Sequence, residues 1–241
     1  MSNYQIVIIA NRKPVELYYC FDEFFRSLRG VIPLLLGSGQ GEYGGLGSKP
    51  RLLYNAIKGG AIKTSHIIFC DCFDLVFATH PDELFDIYGV YNSPFVISSE
   101  KNCFPADLKD KYDALAPDEP YRYLNSGMIV AEVGAMEAVL ESMGAKDIPN
   151  DYWDEEKKCM INPNDQEYYQ KEFLKQPVQM DLDYHQILCN TLHSVTIDEL
   201  DFSRERISNT NFGTYPCSFH LNGSAKTDGL REPILKHLNL L

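Results

Sequence analysis

The start of the chain alternates short apolar runs with an amphipathic stretch, and this alternation constrains the fold more than any other feature. Residues 6–10 are almost all β-branched, which is typical of a central strand buried on both faces. A stripe of leucine and phenylalanine at helical spacing follows over residues 15–28, and residues 31–36 are apolar again. A strand, a helix and a second strand in this order predict a parallel sheet flanked by helices.

Two aspartates follow the next apolar run, where its strand must end. Residues 67–70 are apolar, and Asp71 and Asp74 come directly after them, before a turn that is predicted to open a helix. Two carboxylates at this spacing can share one divalent cation, because Mg²⁺ and Mn²⁺ prefer oxygen ligands. Such pairs are also common in turns, where Asp71 would cap the turn and Asp74 would be a solvated loop residue. The residues alone leave both interpretations open.

Length and charge narrow the class of protein. With 241 residues, of which 44% are hydrophobic, the chain can bury a large core, and we expect a single domain over residues 1–241. The formal net charge is -12, so no overall basic field attracts nucleic acid or an anionic membrane. An anionic ligand would therefore be held locally, by a metal ion or by a few Lys and Arg side chains.

Cysteine usage and the N-terminal sequence bear on the cellular compartment. The seven cysteines are an odd number and include no zinc-type C-x-x-C pair, which is typical of reduced thiols. The chain starts without a basic segment or a long apolar run, so we expect neither a signal peptide nor a membrane span. These features predict a cytoplasmic protein.

A glycine-rich segment follows the second predicted strand. Gly39, Gly41 and Gly44 match the G-x-G-x-x-G fingerprint of dinucleotide-binding folds. That fingerprint belongs after the first strand and runs directly into a helix, whereas the next predicted helix begins at about residue 50. Three interpretations of this segment remain open: a mobile loop over the binding site of a donor substrate, a plain connection, or a dinucleotide cradle.

The rest of the chain continues the alternation. Strands are predicted at residues 95–98, 128–131, 180–188, 195–197 and 215–219. Helices are predicted at residues 50–58, 81–88, 105–115, 135–143, 165–174 and 231–237, with Asp165 as an N-cap or a functional carboxylate. Residues 145–164 lack periodicity and are predicted to be a surface loop, in which Trp153 is either an anchor or a stacking platform.

Six sequence blocks then occur in a fixed order. They are Asp71-Cys72-Phe73-Asp74, Ser98-Ser99-Glu100 with Cys103-Phe104-Pro105, Leu124-Asn125-Ser126-Gly127, Asp165-Gln166 with Tyr168-Tyr169, Leu182-Asp183, and His220-Leu221-Asn222-Gly223-Ser224-Ala225-Lys226. In this order the blocks resemble the glycosyltransferase domain of procollagen lysyl hydroxylases and its relatives, which are GT-A enzymes that use UDP-sugars with Mn²⁺.

The resemblance implies a fold, a cofactor and a set of site residues. The implied fold is of GT-A type, Rossmann-like, with a mixed and mostly parallel central sheet flanked by helices. The implied metal is Mn²⁺, with Mg²⁺ as the alternative, since mixed oxygen and imidazole ligands suit Mn²⁺ better. The implied metal ligands are Asp71, Asp74 and His220; the implied donor-binding residues are Asn11, Lys49, Phe73, Asn222 and Lys226; and the candidates for positioning the sugar or acceptor in catalysis are Asn125 and Asp165.

The implied reaction moves a sugar from a UDP-sugar to an acceptor hydroxyl with retention of configuration. Mn²⁺ and Lys226 would stabilise the charge that develops on the UDP oxygen. The acceptor could be a protein, a glycan, a lipid-linked sugar or a hydroxymethylated DNA base, although the acidic pI disfavours DNA. Two alternatives stay open: a non-catalytic binding module that keeps the fold, and an NAD-type oxidoreductase.

The chain also departs from the family's pattern. Phe104 stands where the family has tryptophan, and residues 162–164 replace most of an acidic run. No part of the chain resembles the hydroxylase half of the collagen enzymes. A stand-alone cytoplasmic transferase of microbial or viral origin therefore fits the sequence better than a collagen-processing protein.

Overall fold

The computed structural model describes residues 3–10, 20–39, 42–116, 118–176, 178–223 and 229–241. The strands are Tyr4–Ile9 (β1), Leu34–Leu36 (β2), His66–Cys70 (β3), Leu75–Phe77 (β4), Phe95–Glu100 (β5), Tyr123–Glu132 (β6), Tyr152–Asp154 (β7), Cys159–Ile161 (β8), Asp181–Leu182 (β9), Asn190–Thr191 (β10), Leu200–Asp201 (β11), Ser208–Asn209 (β12) and Ser218–His220 (β13). The α-helices are Phe21–Ser27 (α1), Ser48–Lys58 (α2), Pro81–Tyr88 (α3), Lys109–Leu115 (α4), Val133–Ser142 (α5), Asp165–Lys175 (α6) and Arg231–His237 (α7). Among the described residues, short 3-10 helices span Ala106–Leu108, Ala145–Asp147 and Ile197–Glu199.

The central sheet has six strands in the order β2-β1-β3-β6-β5-β9. Strand β1 pairs in parallel with β2 and β3, and β5 pairs in parallel with β9. Strand β6 runs antiparallel to both of its neighbours, β3 and β5. The mixed, mostly parallel sheet predicted from the sequence is therefore confirmed.

The two faces of this sheet are buried in two different cores. Val7 and Ile9 of β1 pack with residues of α2, α5 and α6, whereas Ile6 and Ile8 pack with residues of α1, α3 and β4. Successive side chains of a strand point to opposite faces, so consecutive residues are apolar wherever a strand is covered by apolar cores on both sides. This is why the central strands appear in the sequence as continuous apolar runs.

The strands predicted at residues 180–188 and 195–197 differ from those in the structure. Strand β9 is short because the Asp183 carboxylate accepts hydrogen bonds from three backbone N–H groups of residues 187–189, at 2.8–2.9 Å, and so turns the chain. The strand predicted at residues 195–197 is wrong. A capping box between Thr196 and Glu199 closes a 3-10 helix there instead.

The surface loop predicted for residues 145–164 is also wrong in part. Strands β7 and β8 form an antiparallel hairpin within it, with Trp153 opposite Met160. Trp153 is 51% exposed, so it does not anchor the segment in a core. The N-cap of α6 is Asn164, whose side chain accepts the Gln166 backbone N–H at 3.0 Å, and Asp165 is the first helical residue.

Within the described ranges, no helix combines the length and the apolar character needed to cross a membrane. The first part of the predicted helix over residues 15–28 lies outside the described residues, and α1 is its remainder. Helix α3 has the predicted bounds, and it begins with Pro81 at the position where a missing N–H costs nothing.

Candidate active site

A cleft of about 360 Å³ opens at one edge of the central sheet. The carboxyl ends of β3 and β5 reach this edge together with the first half of the antiparallel β6. The start of α2, the N-terminus of α6 and the end of β13 also line the cleft. In open α/β sheets, ligands bind in the crevice outside the carboxyl ends of the strands. The cleft therefore lies where an α/β protein places its chemistry.

The pairing of β4 with β13 brings the three predicted metal ligands together. Leu75 of β4 lies opposite His220 of β13, and the Leu221 N–H donates to the Asp74 carbonyl at 2.7 Å. Asp71 follows β3, and its N–H donates to the Gly127 carbonyl of β6 at 2.9 Å, so ligand atoms of Asp71, Asp74 and His220 all lie within 4.8 Å of one another. Nε2 of His220 is 3.3 Å from Oδ1 of Asp74. Two oxygen donors and one imidazole nitrogen thus share a small volume on the floor of the cleft.

Asn125 sets the orientation of the His220 ring. Oδ1 of Asn125 accepts the Gly127 backbone N–H at 2.9 Å and lies 3.0 Å from Nδ1 of His220. Because an amide oxygen only accepts hydrogen bonds, the proton of a neutral imidazole here resides on Nδ1. The lone pair of Nε2 then faces Asp74, which is the arrangement that a metal-binding histidine needs.

Gly127 leaves the space that the imidazole occupies. A Cβ atom at this position would lie 2.1 Å from Cε1 and 2.3 Å from Nδ1 of His220. Such distances are far below van der Waals contact, so no other residue fits without moving the ring. The Leu-Asn-Ser-Gly block therefore ends in glycine because a side chain at this position would collide with the His220 ring.

Lys49 is buried between two carboxylates. Its Nζ lies 2.5 Å from Oδ1 of Asp71 and 3.6 Å from Oδ2 of Asp165. Burial opposes the charge of the ammonium, but Asp165 and Asp71 outweigh burial and raise the pKa of Lys49 well above its ordinary value. Burial raises the pKa of Asp165, and Lys49 acts against that effect. The ammonium group thus bridges the end of β3 and the N-terminus of α6.

Glu100 is the centre of a buried network of amides. Its Oε1 accepts hydrogen bonds from Nδ2 of Asn125 at 3.1 Å and Nε2 of Gln166 at 2.9 Å, and its Oε2 accepts from Nδ2 of Asn222 at 3.0 Å. Burial raises the pKa of Glu100, while the bonds from Asn125 and Gln166 act in the opposite direction. Glu100 is the last residue of the Ser-Ser-Glu block, but the sequence alone indicated no role for it.

Other predicted site residues have different surroundings. Asn222 lines the cleft, but its Oδ1 accepts the backbone N–H groups of Leu192 and His193 at 2.9 and 3.0 Å, so both ends of its amide contact protein. Phe73 is half-buried with its ring centroid 5.7 Å from that of Phe21, and it is not among the described residues that line the cleft. Asn11 and Lys226 lie outside the described residues.

The Leu182-Asp183 block supports the structure away from the cleft. Besides the three backbone N–H groups that it accepts, Asp183 accepts the Tyr91 hydroxyl at 2.6 Å. Its carboxylate is fully engaged in holding the turn after β9. The Leu182-Asp183 block therefore belongs to the family's pattern because it stabilises the fold.

Fold and family together identify the chain as a glycosyltransferase of GT-A type. The chain is similar in structure to the apo form of mouse xyloside xylosyltransferase 1, with a TM-score of 0.54 and 12% sequence identity over 92% of this chain and 98% of that one. The chain belongs to the PLOD GT domain family, whose model matches residues 35–231. The resemblance and the fold class predicted from the sequence are thereby confirmed.

Curated relatives agree with this assignment. Procollagen-lysine,2-oxoglutarate 5-dioxygenase 2 of Mus musculus is 26% identical over 199 residues, which cover 79% of this chain and 25% of that protein. Procollagen-lysine,2-oxoglutarate 5-dioxygenase 1 of Rattus norvegicus is 29% identical over 192 residues, which cover 76% of this chain and 24% of that protein. The chain thus spans about a quarter of the length of these relatives.

Proposed function

We propose that this chain transfers a sugar from a UDP-sugar to an acceptor hydroxyl, in a metal-dependent reaction that retains the anomeric configuration. The observation that carries the proposal is the cluster of Asp71, Asp74 and His220 on the floor of the cleft. Membership of a glycosyltransferase family favours this reaction over a dinucleotide-dependent oxidation and over a non-catalytic module. A single domain over residues 1–241 and a cytoplasmic location stay predictions from the sequence.

The donor set fits Mn²⁺, with Mg²⁺ as the alternative. Mg²⁺ strongly prefers oxygen ligands and near-ideal octahedral geometry, whereas Mn²⁺ also accepts imidazole. Asp71, Asp74 and His220 supply two carboxylates and one imidazole within reach of one ion. When bound, the ion would act as a Lewis acid on the diphosphate leaving group.

The side chains around the cluster prepare it for this task. Asn125 holds the tautomer and the ring orientation of His220, and Lys49 holds the carboxylate of Asp71 in place. Asn11 and Phe73 are proposed to contact the nucleotide, and Lys226 the diphosphate, on the strength of the family resemblance alone. We assign Asn222 to the donor side of the cleft, which it lines.

Asp165 and Asn125 are proposed to position the transferred sugar or the acceptor. Both side chains are buried and line the cleft, and Oδ2 of Asp165 accepts no hydrogen bond within the described ranges, although the Lys49 ammonium lies 3.6 Å away. A buried carboxylate oxygen in that state is costly unless a ligand hydroxyl completes its contacts. This supports a carbohydrate hydroxyl as the group that Asp165 binds.

Release of UDP from a panel of UDP-sugars tests the proposal. UDP-glucose, UDP-galactose, UDP-xylose and UDP-N-acetylglucosamine would each be incubated with the protein, with Mn²⁺, with Mg²⁺ or with a chelator. We expect slow hydrolysis of one donor that requires the metal. No turnover together with no Mn²⁺-dependent binding of UDP would refute the proposed function. Once an acceptor is found, the anomeric proton coupling of the product in an NMR spectrum reports retention or inversion.

Gly127→Ala is expected to weaken Mn²⁺ binding about tenfold or more, because the new methyl group displaces the His220 ring from the cluster. Isothermal titration calorimetry with Mn²⁺ and UDP measures the change. Gly134→Ala is the matched control, since a Cβ atom there has nothing within 4 Å. Unchanged Mn²⁺ affinity in Gly127→Ala would contradict the placement of His220 among the ligands.

A further inference from the structure

His193 is a cleft residue that lies outside the six sequence blocks. It follows β10 and lines the cleft together with Asn222 and Gly223. The side chain of His193 is 35% exposed, whereas those of Asp165 and His220 are 3% and 5% exposed. The imidazole of His193 is therefore open to a ligand that enters the cleft.

The backbone of His193 is held from both sides. Oδ1 of Asn222 accepts the His193 N–H at 3.0 Å, and Nδ2 of Asn102 donates to the His193 carbonyl at 3.3 Å. Asn222 is itself fixed, because its Nδ2 donates to Oε2 of Glu100 at 3.0 Å. The buried carboxylate that orders the floor of the cleft thus also sets the position of His193.

Gly223 and Glu100 restrict where the imidazole ring can lie. A Cβ atom at Gly223 would be 2.5 Å from Cγ, 2.7 Å from Cδ2 and 2.8 Å from Nδ1 of His193, so the ring needs a glycine there. Nδ1 of His193 lies 3.8 Å from Oε2 of Glu100. A nearby carboxylate favours the tautomer whose proton is on Nδ1. Nε2, at the outer end of the ring, then carries a lone pair and can accept a hydrogen bond.

The ring nitrogens of His193 make no hydrogen bond to any residue that the structure describes, and the Glu100 carboxylate is the charged group beside them. The amides of the floor differ in this respect. Asn125, Gln166 and Asn222 each donate to Glu100. A ligand is oriented in a cleft by the few polar groups that point at it and that no protein group engages. His193 offers such a group on the wall of this cleft.

The charges of the cleft favour a neutral ligand atom at His193. The described lining contains one ammonium, that of Lys49, which already lies between two carboxylates. The carboxylates in this lining are Asp71, Asp74, Glu100 and Asp165. Because Glu100 is the one next to His193, a phosphate oxygen at this point would be repelled. A hydroxyl carries no charge and can donate to Nε2, so it fits this position.

The distance to the metal cluster also fits a sugar substrate. Gly223, which packs against the His193 ring, is three residues after the metal ligand His220. Three residues span at most about 11 Å. The imidazole of His193 therefore lies within reach of a sugar whose diphosphate is bound at the cluster.

We propose that Nε2 of His193 accepts a hydrogen bond from a substrate hydroxyl in the cleft. This inference rests on the proposed transferase function and adds a specificity-determining residue to that same site. The hydroxyl belongs either to the sugar carried by UDP or to the nucleophile that attacks this sugar. In both cases an O–H group donates to the imidazole nitrogen, and His193 does not contact the diphosphate.

His193→Ala distinguishes the two sources of the hydroxyl. Isothermal titration calorimetry with Mn²⁺ would measure the affinities for UDP and for the UDP-sugar that the unmodified protein hydrolyses. For a hydroxyl of the donor sugar, we expect affinity for the UDP-sugar to fall about fivefold or more, with affinity for UDP unchanged. For a hydroxyl of the nucleophile, we expect both affinities to stay unchanged while kcat for UDP release, with water as the nucleophile, falls about tenfold or more.

Two further variants make the result specific. His193→Gln keeps a hydrogen-bond acceptor near the position of Nε2 and should recover part of either loss. His185→Ala is the matched control, because His185 is an exposed histidine beside Phe212 and is not among the described residues that line the cleft. It should leave both affinities and kcat unchanged, and thermal unfolding would confirm that all variants are folded.

Two outcomes would overturn the role of His193. One is an equal loss of affinity for UDP and for the UDP-sugar in His193→Ala, and the other is no change in either affinity or in kcat. Both leave the transferase standing if the unmodified protein releases UDP in the presence of Mn²⁺. No release of UDP and no Mn²⁺-dependent binding of UDP by the unmodified protein would instead refute the proposed function, and this inference with it.

Discussion

Asp74→Asn is expected to lower Mn²⁺-dependent release of UDP by about a thousandfold or more, because it removes a charged ligand and keeps the side-chain shape. The carboxylate of Asp74 lies 3.3 Å from Nε2 of His220, so its loss leaves an ion with one anionic ligand fewer on the floor of the cleft. Initial rates of UDP release at saturating donor measure the effect. Asp86→Asn, on the exposed side of α3, is the matched control and should keep full activity.

A double variant shows whether the residues act on the same ion. If Asp74 and His220 bind one metal, Asp74→Asn/His220→Gln should lose little more activity than Asp74→Asn alone, because the site is already disabled. Mn²⁺ affinity, followed by electron paramagnetic resonance of the free ion, should fall in each single variant. Losses that add on a logarithmic scale would argue against a shared ion. Thermal unfolding would confirm that all variants are folded.

Lys49→Met is expected to destabilise the fold by about 3–5 kcal/mol, because it leaves two carboxylates in the cleft without their buried cation. Lys49 is only 6% exposed and contacts both Asp71 and Asp165. For a chain of this size, the loss corresponds to a fall in Tm of roughly 6–20 °C, which differential scanning calorimetry measures. Saturating Mn²⁺ should recover part of the loss, because the ion supplies positive charge beside Asp71.

Two further variants make the interpretation specific. Lys58→Met removes a surface lysine that pairs with Glu137 and Glu141, and it should change Tm little because exposed ion pairs contribute little. Lys49→Met/Asp165→Asn should be more stable than Lys49→Met, since the second change removes an unpaired buried charge. If Lys49→Met and Lys58→Met lowered Tm equally, the buried ion pairs of Lys49 would contribute no more to stability than the exposed pairs of Lys58.

The sequence predicted those parts of the fold that depend on apolar periodicity. Strands β1 and β3 and helix α3 follow from runs and stripes of apolar side chains, and the structure has them where they were expected. Asp71 and Asp74 could be identified as a candidate metal pair because they end β3. His220 entered the set only through the family resemblance, since nothing near it in the sequence marks a ligand.

Other features depend on contacts between distant or polar groups, which periodicity does not report. Strand β4 has only three residues, and its pairing with β13 joins segments more than 140 positions apart. At the turn held by Asp183 and at the capping box of Thr196, hydrogen bonds between side chains and the backbone replace the backbone–backbone hydrogen bonds of a strand. The role of Glu100 depends on three amides that come from three separate parts of the chain.

The network around Glu100 has a consequence for the thermodynamics of substrate binding. Asn125, Gln166 and Asn222 are each held in one rotamer by the same buried carboxylate before any ligand arrives. Immobilising such a side chain at an interface costs about 0.5–1.5 kcal/mol of lost rotamer freedom. In this protein that entropy is lost during folding, so the floor of the cleft is preorganised. Substrates bind to polar side chains that are already ordered, so a larger part of the contact free energy contributes to affinity.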